Sequence, residues 1–135
     1  MITSREAAYS AILRNDLLRL HEAIVYLGSV LSKVELPDSE SRANTLSCSR
    51  ELESVYKETL AMIPPASMQD AHQKYLEALQ HLSRAALLVN QFADNSKAEL
   101  LRWAVFKQAH VEFKSGGQAM DEAATMLNLL IRPVH

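Results

Sequence analysis

Four stretches of this chain repeat apolar residues at alternating steps of four and three, a spacing that suits helices packed against helices. Leu13, Leu17, Leu20, Ile24, Leu27, Leu31 and Val34 form the first line. Cys48, Leu52, Val55, Thr59 and Met62 form the second, with Tyr56 and Ile63 widening it. The third runs Met68, His72, Tyr75, Leu79, Leu82, Ala86, Val89 and Ala93, flanked by Leu76, Leu88 and Phe92. The fourth runs Trp103, Phe106, His110, Phe113, Gly117, Met120, Ala124, Leu127 and Ile131. A mean step of 3.5 residues keeps one face of an α-helix apolar along its length, so each segment needs a helical partner.

The punctuation between these lines is that of helix ends. Thr3-x-x-Glu6 is a capping box, in which each side chain satisfies the other residue's orphan backbone N–H. Pro37 stops the first helix and Asp38 is placed to cap the second, with Glu40 favoured by the helix dipole. The stretch from Ser39 to Ser49 is polar and serine-rich, so its turns are expected to be the least stable. Pro64-Pro65 ends the second helix, and Ser67-x-x-Asp70 opens the third. Asp94-Asn95 marks a turn, Ser96-x-x-Glu99 caps the fourth helix, and Pro133 closes it. Connections of about two to four residues force each helix back along its predecessor. The expected fold is therefore an all-α, antiparallel up-down-up-down four-helix bundle, with residues 1–135 as a single domain and about three quarters of them helical. Only three Gly and four Pro occur in the 135 residues, which leaves few turns for a many-stranded alternative.

Charge excludes some functions. With 14 basic and 16 acidic residues interspersed and a formal charge of -2, no Lys/Arg cluster offers a footprint for nucleic acid or an anionic membrane. The apolar runs are too short to span a bilayer, and the N-terminus lacks a signal-peptide core. Cys48 is the only cysteine, so no internal disulfide forms. These features read as cytoplasmic.

Catalytic and metal motifs are missing. Di-iron carboxylate bundles need Glu-x-x-His on two helices, and neither that pattern nor His-x-x-x-His occurs. The four apolar lines contain no Asp or Glu, so no metal and no cofactor is implied. No Gly-x-Ser-x-Gly elbow is present, and Ser115-Gly116-Gly117 lacks the lysine and strand of a phosphate loop. Cys48 falls on an apolar line, where a thiol acts as a small hydrophobe. What remains is a set of amphipathic residues on core lines: His72, Tyr75 and His110, with Tyr56 near them. They are the candidate ligand-binding group, and otherwise polar core residues that fix register. Trp103, Phe106 and Phe113 read as core, and Glu53/Lys57 and Asp70/Lys74 as solvated pairs.

The functional expectation is a non-enzymatic interaction or scaffold bundle that self-associates as a homodimer or takes a partner helix. The alternative is a small-molecule or effector-binding bundle with the His/Tyr cluster in its core. The first and fourth helices are expected to outrun the middle pair by roughly 12–15 Å at 1.5 Å per residue. The overhang beyond Pro64-Pro65 would carry Ala7, Ala8, Tyr9, Ala11 and Ile12 on one side. Met126, Leu127, Leu130 and Ile131 would lie on the other. That bare apolar surface is the expected dimer contact. If Gly116-Gly117 instead breaks the fourth helix, residues 118–131 would fold over the end as a lid.

Overall fold

The computed structural model describes residues 2–32, 39–92 and 99–131; 94% of these are helical and none is in a strand. Four α-helices follow one another: α1 (Ser4–Ser32), α2 (Ser39–Leu60), α3 (Gln69–Phe92) and α4 (Glu99–Ile131), with a short 3-10 turn at Ala66–Met68 before α3. Val34, Pro37 and Asp38 lie outside the described residues, as do Ala93 to Ser96 and Pro133.

The start of α1 follows the capping-box chemistry. Thr3 N donates to Glu6 Oε1 at 2.9 Å, and Glu6 N donates to Thr3 Oγ1 at 3.1 Å. The second capping box does not form. The Ser67 hydroxyl donates to Glu6 Oε2 across the fold, and the turn closes through Met68 N donating to the Pro65 carbonyl at 2.9 Å. α2 ends at Leu60, before the two prolines. A residue preceding proline is pushed out of the α region, so Ile63 leaves the helix. It is 82% exposed and does not widen the core line.

α3 is the central element. It buries one line of large residues, His72, Tyr75, Leu79, Leu82 and Val89, which Met68 of the 3-10 turn extends, and a second line of Ala71, Ala78, Ala85 and Phe92 at steps of seven. That second line shares a helix face with Lys74 and His81, which reach Glu122 and Glu112 of α4. α3 and α4 make the most intimate helix pair. On α4 the buried residues include Phe106, Ala109, Gly116, Ala119 and Ala123. A Cβ on Gly116 would lie 2.8 Å from Leu82 Cγ and 3.2 Å from its backbone nitrogen, whereas one on Gly117 would meet nothing within 4 Å. The close-packing glycine is therefore Gly116, and the expectation that Gly117 held that place is corrected. α4 runs unbroken through both, so the lid of residues 118–131 does not form.

α4 is turned so that its small residues face α3, which leaves Trp103, Phe113, Met120 and Leu127 half-buried, with Phe113 and Leu127 on the flank towards α1. The same rotation occurs in α1. Leu13, Leu20 and Leu27 are fully buried as expected, but the alternate members of the line are Tyr9, Asp16, Ala23 and Val30. Leu17 and Ile24 are only partly covered. Asp16, which is not on the line read from the sequence, is buried as well.

Of the residues expected on the overhang of α1, Ala7, Ala8, Ala11 and Ile12 are exposed and Tyr9 is not. Tyr9 is buried against His72, and Ser10 Oγ contacts Met68 Sδ at 3.9 Å. The segment linking α2 to α3 folds across that end. The side chains of Leu130 and Ile131 lie outside the described residues.

Candidate functional site

The four residues selected from sequence do not gather in one place. His72 and Tyr75 lie one turn apart on α3, both buried. Tyr56, on α2, is partly buried against the core. His110 is far away: its Nε2–H donates to the Leu31 carbonyl at 2.6 Å, at the C-terminal end of α1. Tyr9, which contacts His72, is 22 residues before Leu31, or roughly 33 Å along a helix. His110 faces outward because α4 is rotated towards α3. Its bond satisfies one of the carbonyls that a helix end leaves orphaned.

What surrounds His72 is a polar cluster contributed mainly by α1. The Tyr9 hydroxyl and His72 Nδ1 are 2.5 Å apart. Burial pushes the tyrosine pKa well up and the histidine pKa down. Both groups are therefore neutral at pH 7, which makes the phenol the donor and Nδ1 the acceptor. Tyr75 is raised strongly, first by burial and then by the neighbouring Asp16 carboxylate. Its buried hydroxyl lies beside the Asp16 carboxylate, whose hydrogen bonding adds to the rise, although the geometry falls short of a well-formed bond. The Asp16 carboxyl is raised by burial and by Glu58, against an opposing pull from Arg19. Arg19 itself brackets α2, bonding Glu51, Glu58 and Ser54. Sequence reasoning missed Tyr9 and Asp16. The signal was present, since 9, 16, 23 and 30 complete a second seven-residue line beside 13, 20 and 27.

No known protein family, curated protein or solved structure matches this chain. Its chemistry must therefore be read from its own geometry. The buried cluster holds an acceptor, a carboxylate and two phenols, but none of the clefts described here is lined by His72, Tyr75, Tyr56 or His110. Among the described residues, no group of three or more His, Cys, Asp or Glu is placed to hold a metal ion. No described helix is long and apolar enough to cross a membrane.

Clefts among the described residues reach the surface between neighbouring helices. A groove of about 200 Å³ between α3 and α4 is lined by Lys74, His81, Ser115 and Glu122 among others. There His81 Nδ1 lies 2.6 Å from Glu112 Oε2, while Lys74 pairs with Glu122 at 2.9 Å and with Glu77 at 3.3 Å. These pairs clamp two helices that are already closely packed. Lys74 thus pairs with Glu77 and Glu122 rather than with Asp70, whereas Lys57 and Glu53 pair as expected at 3.1 Å. A shallower gap of about 80 Å³ lies between α1 and α4, touching Leu13, Leu17, Ala124 and Leu127. Another, of about 420 Å³, opens between α1 and α2. Cys48 lies at its base, buried, with its thiol pKa raised by desolvation.

Proposed function

We propose that this chain is a non-catalytic association module: an antiparallel up-down-up-down bundle that pairs with a second copy of itself through the α1–α4 face. The topology is supported by the run of side-chain contacts. Lys74, Leu82 and Phe92 ascend α3 while their partners Glu122, Gly116 and Phe106 descend α4. Gly28 of α1 lies against Phe113 of α4, and Leu31 against His110, whereas Leu13 and Leu17 share a gap with Ala124 and Leu127.

The observation that carries the association is the incompletely closed seam between α1 and α4. Leu17 and Ile24 on α1 face the same seam as Phe113, Met120 and Leu127 on α4. Each set recurs at seven residues, and all five are only partly covered. Outward of them, Leu18 is 71% and Val25 57% exposed. Two seven-residue apolar lines side by side form a self-complementary surface for a two-fold partner. The dimer contact thus moves from the helix overhang to a helix flank. A single thiol, buried and held protonated, suits a reducing, cytoplasmic setting. Sedimentation equilibrium at micromolar concentration tests the reading. Wild type should run at twice 15.1 kDa, and Leu18→Glu with Val25→Glu should restore the monomer with its helical spectrum intact. A wild-type monomer would sink the proposal.

A further inference from the structure

Small residues line two of the helix seams, with opposite results. Between α3 and α4 they let the backbones close, until Gly116 has no room for a methyl group. Between α1 and α2, Ala23 faces Ser47 and Cys48, yet the helices stay apart and leave the cleft of about 420 Å³. Leu20, Leu27, Leu52 and Val55 are fully buried beside it and act as spacers. A seam of small side chains that stays open forfeits both close approach and dispersion contact. It has the volume of a small-ligand site.

The lining specifies the ligand. Ala23 and Cys48 give an apolar floor, and Tyr26 forms a wall. Arg19 closes one end, and its guanidinium is bonded to Glu51 and Glu58. The Glu22 carboxylate also lines the cleft and has no ion-pair partner among the described residues. With two carboxylates and one already engaged guanidinium, the cleft favours a cation. A carboxylate accepts a forked pair of N–H donors in one plane, and a phenol ring stacks against a flat cation. We propose that the α1–α2 cleft binds a small planar cation of the amidine, guanidine or amino-heteroaromatic class, with its donor fork on Glu22 and its ring between Tyr26 and the Ala23–Cys48 floor. The Ala23 floor lies on a different side of α1 from the Leu17–Ile24 seam, while Glu22 neighbours Leu18 and Val25 at helical spacing. Glu22→Gln and Ala23→Leu in the otherwise wild-type chain test this site and sedimentation tests the association, so each proposal can fail without the other.

Benzamidine carries both features and is the probe. Titrated into the isotopically labelled full chain, it should give saturable amide shifts confined to residues 19–26 and 44–51. Glu22→Gln should weaken binding by about tenfold or more, as expected for removing a charged hydrogen-bond acceptor. Ala23→Leu fills the floor and should abolish binding while leaving distant amides unchanged. If Ala23→Leu does not fold, Ser47→Leu blocks the exposed lip instead. Shifts that fail to saturate, that scatter over the surface, or that persist in the filled variant would overturn the assignment.

Discussion

Gly116 and Gly117 are chain neighbours in one helix, and the packing predicts opposite responses to the same methyl group. Replacing glycine by alanine inside a helix gains about 1 kcal/mol, because glycine loses more backbone entropy on folding. At Gly117 nothing lies within 4 Å of the new Cβ, so Gly117→Ala should realise most of that gain. At Gly116 the new atom would sit 2.8 Å from Leu82 Cγ and 2.9 Å from Cδ2. The first obstacle is the branch point of a side chain only 1% exposed, and the Leu82 backbone nitrogen stands behind it at 3.2 Å. Such overpacking costs about 1–3 kcal/mol, and the rigid obstacle argues for the upper part of that range. Gly116→Ala should therefore lose a net ~1–2 kcal/mol. The two variants should differ by about 2–3 kcal/mol, or on the order of 10 °C in Tm for a chain of this size. Urea denaturation with equal m-values for both variants is the assay. If Gly116→Ala is stabilised as much as Gly117→Ala, α4 does not approach α3 at Leu82, and the rotation of α4 inferred from it fails.

The buried cluster gives two pH predictions of opposite sign. His72 has a folded pKa below its ordinary 6.5, so its contribution is present above pH 6.5 and is lost as pH falls through the lowered value. His72→Gln keeps an acceptor for Tyr9 and should flatten that acid loss in pH-dependent urea titrations; an unchanged slope would refute it. Asp16 has a folded pKa above its ordinary 3.8, so its contribution is full below that value and is lost as pH rises through the raised one. Asp16→Asn should therefore be more stable than wild type at pH 7, with an advantage that shrinks towards pH 4; a constant difference across that range would refute it. Hydrogen exchange should find α1 amides opening at lower free energy than those of the α3–α4 pair, and uniform protection would contradict the packing difference between them.

Much of this was legible because helical period and caps are local properties. Leu13, Leu20 and Leu27, the Thr3–Glu6 box and the Leu79–Leu82–Val89 line all follow from spacing alone. The choice between adjacent lines was not legible. In α1 the lines 13-17-20-24-27 and 9-13-16-20-23-27-30 share every second member, and hydropathy selects Leu17 and Ile24 over Asp16 and Ala23. The structure buries the less apolar set, because Asp16 and Ala23 lie on the flank of α1 towards α2 and α3. In α4 the large residues Trp103 and Phe113 carry far more apolar area than Ala109, Gly116 and Ala119. Yet the closest interhelical contact belongs to the small ones, since its strength comes from backbone approach rather than side-chain area. Ser67 fits a cap pattern but is taken by Glu6, a partner 61 residues away that no local pattern reveals. The candidate site failed for the same reason: a rotation of α4 was enough to carry His110 out of the core.

These differences make α1 the element on which function can be placed. α3 and α4 approach most closely at Leu82 and Gly116, and ion pairs line the groove that remains between them. α1 buries Leu13, Leu20 and Leu27 in the core and adds long polar reaches, Tyr9 to His72, Arg19 to Glu51 and Glu58, and His110 to its own last turn. Such contacts fix orientation while leaving gaps on either flank, one apolar towards α4 and one polar and acidic towards α2. Whatever fills those gaps would stabilise the docked position of α1 without requiring the α3–α4 pair to move. Self-association on one flank and a small cation on the other would then act on the same helix, and each would favour the docked position of α1 that the other requires. Such coupling through a shared helix is reciprocal by linkage.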